Sequence, residues 1–221
     1  MEEIKTAVLL DLAQTDYADI FDNCEYPFEI LKKIGSYILK KGPLLDSRYK
    51  LLKENVWVGE GTVIADSASI TGPAIIGCNC EIRHCAFIRG NALIGDNCVI
   101  GNSTEVKNSM YFNNVQTPHF NYVGDSVLGY KSHIGAGVIL SNVRSIPGEV
   151  TIRTSESFIN TGLRKFSAIL GDHVEVGCNS VLNPGTIVGK GSVIYPLTSA
   201  RGFIPENFIV KNDGRKFPKR I

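Results

Sequence analysis

Between Val58 and Val106 the sequence reads VGEGTV IADSAS ITGPAI IGCNCE IRHCAF IRGNAL IGDNCV IGNSTE V, with an aliphatic residue opening every group of six. Val58, Ile64, Ile70, Ile76, Ile82, Ile88, Ile94, Ile100 and Val106 hold this phase without a slip. The second position is often Gly (Gly59, Gly77, Gly95, Gly101), and the fifth is small: Thr62, Ala68, Ala74, Cys80, Ala86, Ala92, Cys98, Thr104. A period of six matches neither a helix nor simple alternation. It predicts a short strand and a turn, repeated, with the aliphatic residue pointing into a core shared by successive coils. Glycine is expected to relieve backbone strain at the turns.

The phase resumes in a new register at Leu128, Ile134 and Leu140, and again at Leu170, Val176, Leu182, Val188 and Ile194. The reading is therefore mainly β: a parallel solenoid over 55–200 with insertions at 107–127 and 141–169. The second insertion carries two β-prone runs, Ile146 to Ile152 and Phe158-Ile159, around the polar Thr154-Ser155-Glu156-Ser157, which predicts a hairpin arm. Residues 1–54 lack the repeat. Pro27 opens a helical pattern through Phe28, Ile30, Leu31, Ile34, Tyr37, Ile38 and Leu39, which ends near Gly42-Pro43. This helical segment is expected to cap one end of the stack. Residues 201–221 carry six Lys/Arg against two acids and read as a basic, solvated tail.

Composition narrows the function. In 221 residues, 23 Lys+Arg balance 22 Asp+Glu, and a net charge of +1 argues against a general nucleic-acid binder. No apolar stretch reaches membrane-spanning length, and the acidic start is unlike a secretory signal. Six scattered cysteines do not make a disulfide scaffold, so a reducing, cytoplasmic location is expected.

Arg89 and Lys107 both hold the second position of their hexapeptides, 18 residues apart. Side by side on adjacent coils, about 4.8 Å apart, two cations repel unless an anion such as phosphate bridges them. The alternative is two surface cations with separate partners. His119 stands in the first interruption as a candidate general base, with Tyr122 nearby.

Residues 89–142 resemble the acetyltransferase domain of the bifunctional N-acetylglucosamine-1-phosphate uridyltransferase/glucosamine-1-phosphate acetyltransferases, within the hexapeptide-repeat acyltransferases. The resemblance rests on Arg89, Glu105-Val106-Lys107, His119-Phe120-Asn121-Tyr122-Val123-Gly124-Asp125, His133-Ile134-Gly135-Ala136-Gly137 and Ser141-Asn142-Val143. It implies a left-handed parallel β-helix and a homotrimer. It also implies direct attack of an amino-sugar-phosphate amine on acetyl-CoA. Carried over by position, His119 would be the general base, Arg89, Lys107 and Tyr122 would hold the phosphate, and Asn142 would contact the amino sugar. The Ala136 N–H would meet the oxyanion, and Ala136 and Cys178 would line the acetyl-CoA groove. His133 replaces the family's Asn at an acceptor-binding position, and Cys178 its Ser. The family's Gly-Thr-Arg-Met nucleotide loop is missing, so no uridyltransferase activity is expected of this chain. The rival reading is a non-catalytic trimeric module that binds a sugar phosphate or sugar nucleotide.

Two metal readings are weaker. Cys78, Cys80, His84 and Cys85 could supply soft ligands, but Cys80 fits the small-residue series. The γ-type carbonic anhydrases share such a solenoid, yet His84, His119, His133 and His173 lack their spacing. No metal is predicted. Arg164 and Lys165, where the arm rejoins the solenoid, are either an anion contact or an ordinary basic turn.

Overall fold

The computed structural model describes residues 2–154 and 158–220. It is a left-handed parallel β-helix whose coils stack three short strands each. In chain order the first face begins with Val56–Gly59, the second with Val63–Ile64 and the third with Ser69–Thr71. Each coil then pairs in parallel with the next: Ile76↔Ile94, Ile82↔Ile100 and Ile88↔Val106 are in register. The hexad aliphatics thus form continuous columns, and Ile76, Ile88, Ile94, Ile100 and Val106 are fully buried.

Residues 107–127, expected to be an insertion, are instead ordinary coils. Strands Glu105–Tyr111 and Tyr122–Leu128 run without a break from the third face onto the first. Ser109 pairs with Ala92 and Ser126 with Ser109, so each coil is one residue shorter at this corner. Asn108 and Asp125 make the bend with φ of +46° and +49°, a region that Asn and Asp tolerate better than most side chains. The hexad phase drops to five there. The inward positions that follow, Tyr111 and Thr117, are fully buried but not aliphatic, which hid them from the pattern. Tyr111 Oη donates to Thr117 Oγ1 at 3.4 Å and Thr117 Oγ1 to the Val99 carbonyl at 3.2 Å, so the polar atoms are partnered.

The expected end cap is also placed differently. A 3-10 helix Pro27–Lys32 and an α-helix Ile34–Lys41 lie along the first face. The reason is in the strands of that face. Their outward residues Ile75, Leu93, Met110, Val127, Ile169 and Ile187 are apolar and wholly buried. Covering each contributes on the order of 1.5–3 kcal/mol, which an end cap would forgo. Ile34 and Ile38 are wholly buried on the helix that lies over the strands of Ile75, Leu93 and Met110, and Phe28 packs on Phe166 with centroids 5.6 Å apart. The open edges are closed by antiparallel strands instead: Tyr49–Lys53 on Val56–Gly59 at the start, and Lys216–Pro218 on Phe208–Val210 at the finish. The described stretch 201–220 therefore holds a last coil, Phe203–Ile204 and Phe208–Val210, and a solvent-exposed closing strand.

The arm is present. Thr151–Arg153 and Phe158–Asn160 pair antiparallel, with Ile152 opposite Ile159. Ser155, Glu156 and Ser157 lie outside the described residues. Glycine at the hexad's second position serves close approach rather than unusual φ. A Cβ on Gly77 would lie 2.5 Å from the Gly95 carbonyl of the next coil. The left-handed turn positions beside it belong to Asn79, Asn97 and Asn114. Among the described residues no helix is long and apolar enough to cross a membrane.

Candidate active site

The motif Tyr122-Val123-Gly124-Asp125 has a distinct physical reason at each position. Val123 fills the core. The Tyr122 ring folds back over Gly124, where a Cβ would lie 2.6 Å from the tyrosine hydroxyl. Lys107 is the strand neighbour of Gly124, and Arg89 stands one coil before Lys107. Arg89, Lys107 and Tyr122 therefore share the third face, as their spacing suggested. The two cations do not face each other unpartnered. Arg89 Nη1 donates to Glu105 Oε1 at 2.6 Å, and the Glu105 carboxylate raises the guanidinium pKa above its ordinary value. Lys107 Nζ lies 3.1 Å from Asp125 Oδ2.

Asp125 is the site residue that the sequence reading passed over. Its side chain is 6% exposed. Besides Lys107 it accepts the amides of Asn108 at 2.8 Å and Asn142 at 2.5 Å. Asn108, Asp125 and Asn142 hold equivalent corner positions on three successive coils, so this ladder ties the bend together. A buried carboxylate needs such company. Its signal in the sequence was Asp at the point where the hexad phase drops to five.

His119, expected in a loop, ends the second-face strand Gln116–His119 at the next corner, three residues before Tyr122. It pairs with Asn102 of the preceding coil. The registers Gln116↔His133 and His133↔Glu175 carry the same corner position to Ala136 and then to Cys178. The chain's hydrogen bonds agree: Gly137 N–H donates to the His119 carbonyl at 3.1 Å, and Asn179 N–H to the Ala136 carbonyl at 2.8 Å. His119, Ala136 and Cys178 thus form one file along an outer edge of the prism. The His119 imidazole is exposed and has no hydrogen-bond partner among the described residues, nor has the Ala136 N–H. Tyr122 and His119 are not hydrogen-bonded to each other.

His133 is not brought to this edge. It lies on the second face, three residues before Ala136, and its Nδ1 is 2.8 Å from Glu175 Oε2. The metal candidates disperse likewise. Cys80 Sγ is turned inward to the Gly95 carbonyl, while His84 Nδ1 meets Ser67 Oγ at 2.6 Å. Among the described residues no three His, Cys, Asp or Glu side chains gather as a metal would need.

The chain is similar in sequence to several known proteins. A bifunctional sugar-1-phosphate nucleotidylyltransferase/acetyltransferase of Sulfurisphaera tokodaii is 38% identical over 96 residues, 43% of this chain and 24% of that protein. Bifunctional protein GlmU of Methanococcus vannielii is 35% identical over 121 residues, 54% of this chain and 29% of that protein. The chain thus spans less than a third of the length of these curated relatives. A solved structure of a variant of AntD, an N-acyltransferase from Bacillus cereus, contains dTDP and coenzyme A. It is 18% identical and covers 80% of this chain and 92% of that one, with a TM-score of 0.44. The model of the GMPPB C-terminal domain matches residues 70–193, more than half of the 221, and the chain belongs to that family.

Proposed function

We propose that this chain is an acetyl-CoA-dependent N-acetyltransferase acting on an amino sugar phosphate of the glucosamine-1-phosphate kind. The observation that carries the reading is the file of His119, Ala136 and Cys178 beside a face bearing Arg89, Lys107 and Tyr122. Among the described residues the exposed His119 imidazole has no internal partner that would compete for a proton. His119 accepts it from the sugar amine as the nitrogen attacks the thioester carbonyl. The Ala136 N–H, one coil on, donates to the oxyanion that forms. Collapse releases the coenzyme A thiolate, with no covalent enzyme intermediate. Arg89 and Lys107 hold the phosphate, with the Tyr122 hydroxyl beside them. The Arg89–Glu105 pair is solvent-exposed, and such screened surface pairs contribute little, so phosphate can displace Glu105 at small cost. Asn142 keeps its side-chain carbonyl for the sugar while its amide holds Asp125. Nucleotidyl transfer is no part of this activity.

The His119 file runs along a convex edge, so one chain offers substrates a single wall. A homotrimer, with the edge of one copy against a face of the next, supplies the second. Sedimentation velocity tests this; a monomer at micromolar concentration would remove that wall. Release of coenzyme A from acetyl-CoA with glucosamine-1-phosphate tests the reaction, and silence from a folded trimer would exclude this acceptor. One observation favours the rival, a non-catalytic module that binds a sugar phosphate or sugar nucleotide: both site cations and Asn142 are engaged by carboxylates of the chain itself.

A further inference from the structure

The arm leaves the solenoid after Asn142 and returns at Phe166, whose N–H donates to the Asn142 carbonyl at 3.1 Å. Its first strand, Thr151–Arg153, does not stand free. Gly185 and Gly202, with φ of +83° and +72°, sit so close beneath it that a Cβ would lie 2.6 Å from the Thr151 carbonyl and 2.7 Å from that of Arg153. The strand is therefore seated on the backbone of two coils, and a groove of about 350 Å³ opens beside it. That volume falls in the range of small-molecule sites, roughly 300–1,000 Å³.

Three arginines from separate segments line this groove: Arg144 where the arm begins, Arg153 at the end of its first strand, and Arg201 on the coil beneath. Among the described residues none of the three is paired with a carboxylate. Their contacts are with neutral groups. Arg144 Nη1 donates to the Glu149 carbonyl at 2.7 Å, and Arg201 Nη2 lies 3.5 Å from Asn183 Oδ1. The Arg153 guanidinium is 5.6 Å from the centroid of the Phe158 ring. Guanidiniums gathered without a counter-charge repel one another, and their planar forks match the oxygens of phosphate groups. The same groove is lined by Ile146 and Phe158, which are 73% and 70% exposed. An open aromatic ring beside arginines offers a stacking surface for a base.

We propose that this groove binds a nucleoside diphosphate, with the arginines on the two phosphates and Phe158 and Ile146 against the base and ribose. The assignment is independent of acetyl transfer. It also lies apart from the Ala136 and Cys178 file. Arg201 shares the register position of Lys107, Gly124, Ser141 and Asn183, on the opposite edge of the third face.

Calorimetric titration of the full chain with UDP and GDP tests it, with uridine and inorganic pyrophosphate as part-ligands and coenzyme A as competitor. At least one of the two nucleotides binds with one site per chain, more tightly than either part-ligand. Arg201→Ala and Phe158→Ala, which melt with the wild type because both side chains are exposed, each weaken it about tenfold or more. Arg201→Lys retains part of the affinity. Coenzyme A does not displace the nucleotide. Absence of binding at millimolar concentration, unchanged affinity in both variants, or one-for-one displacement by coenzyme A would overturn the proposal.

Discussion

Lys107 and Asp125 meet at 3.1 Å at the one-residue-short corner, the carboxylate 6% and the ammonium stem 22% exposed. Because Asp125 also holds Asn108 and Asn142, removing it leaves a cation and two amides without an acceptor. Asp125→Ala is expected to cost about 3 kcal/mol in denaturant unfolding, with Asp125→Asn milder. A loss below about 0.5 kcal/mol, as for an ordinary surface substitution, would show that the ladder does not hold the corner.

Thr117 tests whether the stretch first read as an insertion is solenoid core. Thr117→Val keeps the shape but leaves the Tyr111 hydroxyl with no acceptor inside the stack. A destabilisation of about 1–3 kcal/mol is expected. If Thr117→Val were neutral while Tyr111→Phe were costly, the hydroxyl pairing described here would be wrong.

The nine in-phase aliphatic positions from Val58 to Val106 announced the fold because the eight hexads between them are regular. The reading failed where geometry departed from that rule. At Asn108 and Asp125 the corner loses a residue, and Tyr111 and Thr117 then occupy core positions that a search for aliphatics passes over. The flank helices were misplaced for a different reason. Ile75, Leu93, Met110, Val127, Ile169 and Ile187 sit one position before the hexad columns on one face, and that outward apolar row was visible but not used. At the site, spacing brought Arg89 and Lys107 together correctly. Their carboxylate partners Glu105 and Asp125 depend on side-chain reach, which spacing does not encode.

The cysteines separate by burial. Cys85 and Cys178 are exposed, whereas Cys78, Cys80 and Cys98 are buried, and burial pushes the Cys98 thiol pKa up. Iodoacetamide should modify Cys85 and Cys178 in the native protein and the buried three only on unfolding. Saturating coenzyme A should slow Cys178 and spare Cys85, read by peptide mass spectrometry. Equal protection of both would count against a coenzyme along the His119 file.

The closing strand predicts a cost of truncation. Deleting residues 211–221 bares the edge of Phe208–Val210, whose partner is Lys216–Pro218. The shortened chain should self-associate with rising concentration in light scattering. Unchanged mass and melting would mean that the last coil tolerates an open edge.

The most direct test of acetyl transfer compares wild type with His119→Ala in coenzyme A release from acetyl-CoA and glucosamine-1-phosphate. If His119 is the general base, turnover falls by roughly two to four orders of magnitude, while the variant melts and assembles as the wild type does. Wild-type turnover that survives His119→Ala unchanged would contradict the mechanism.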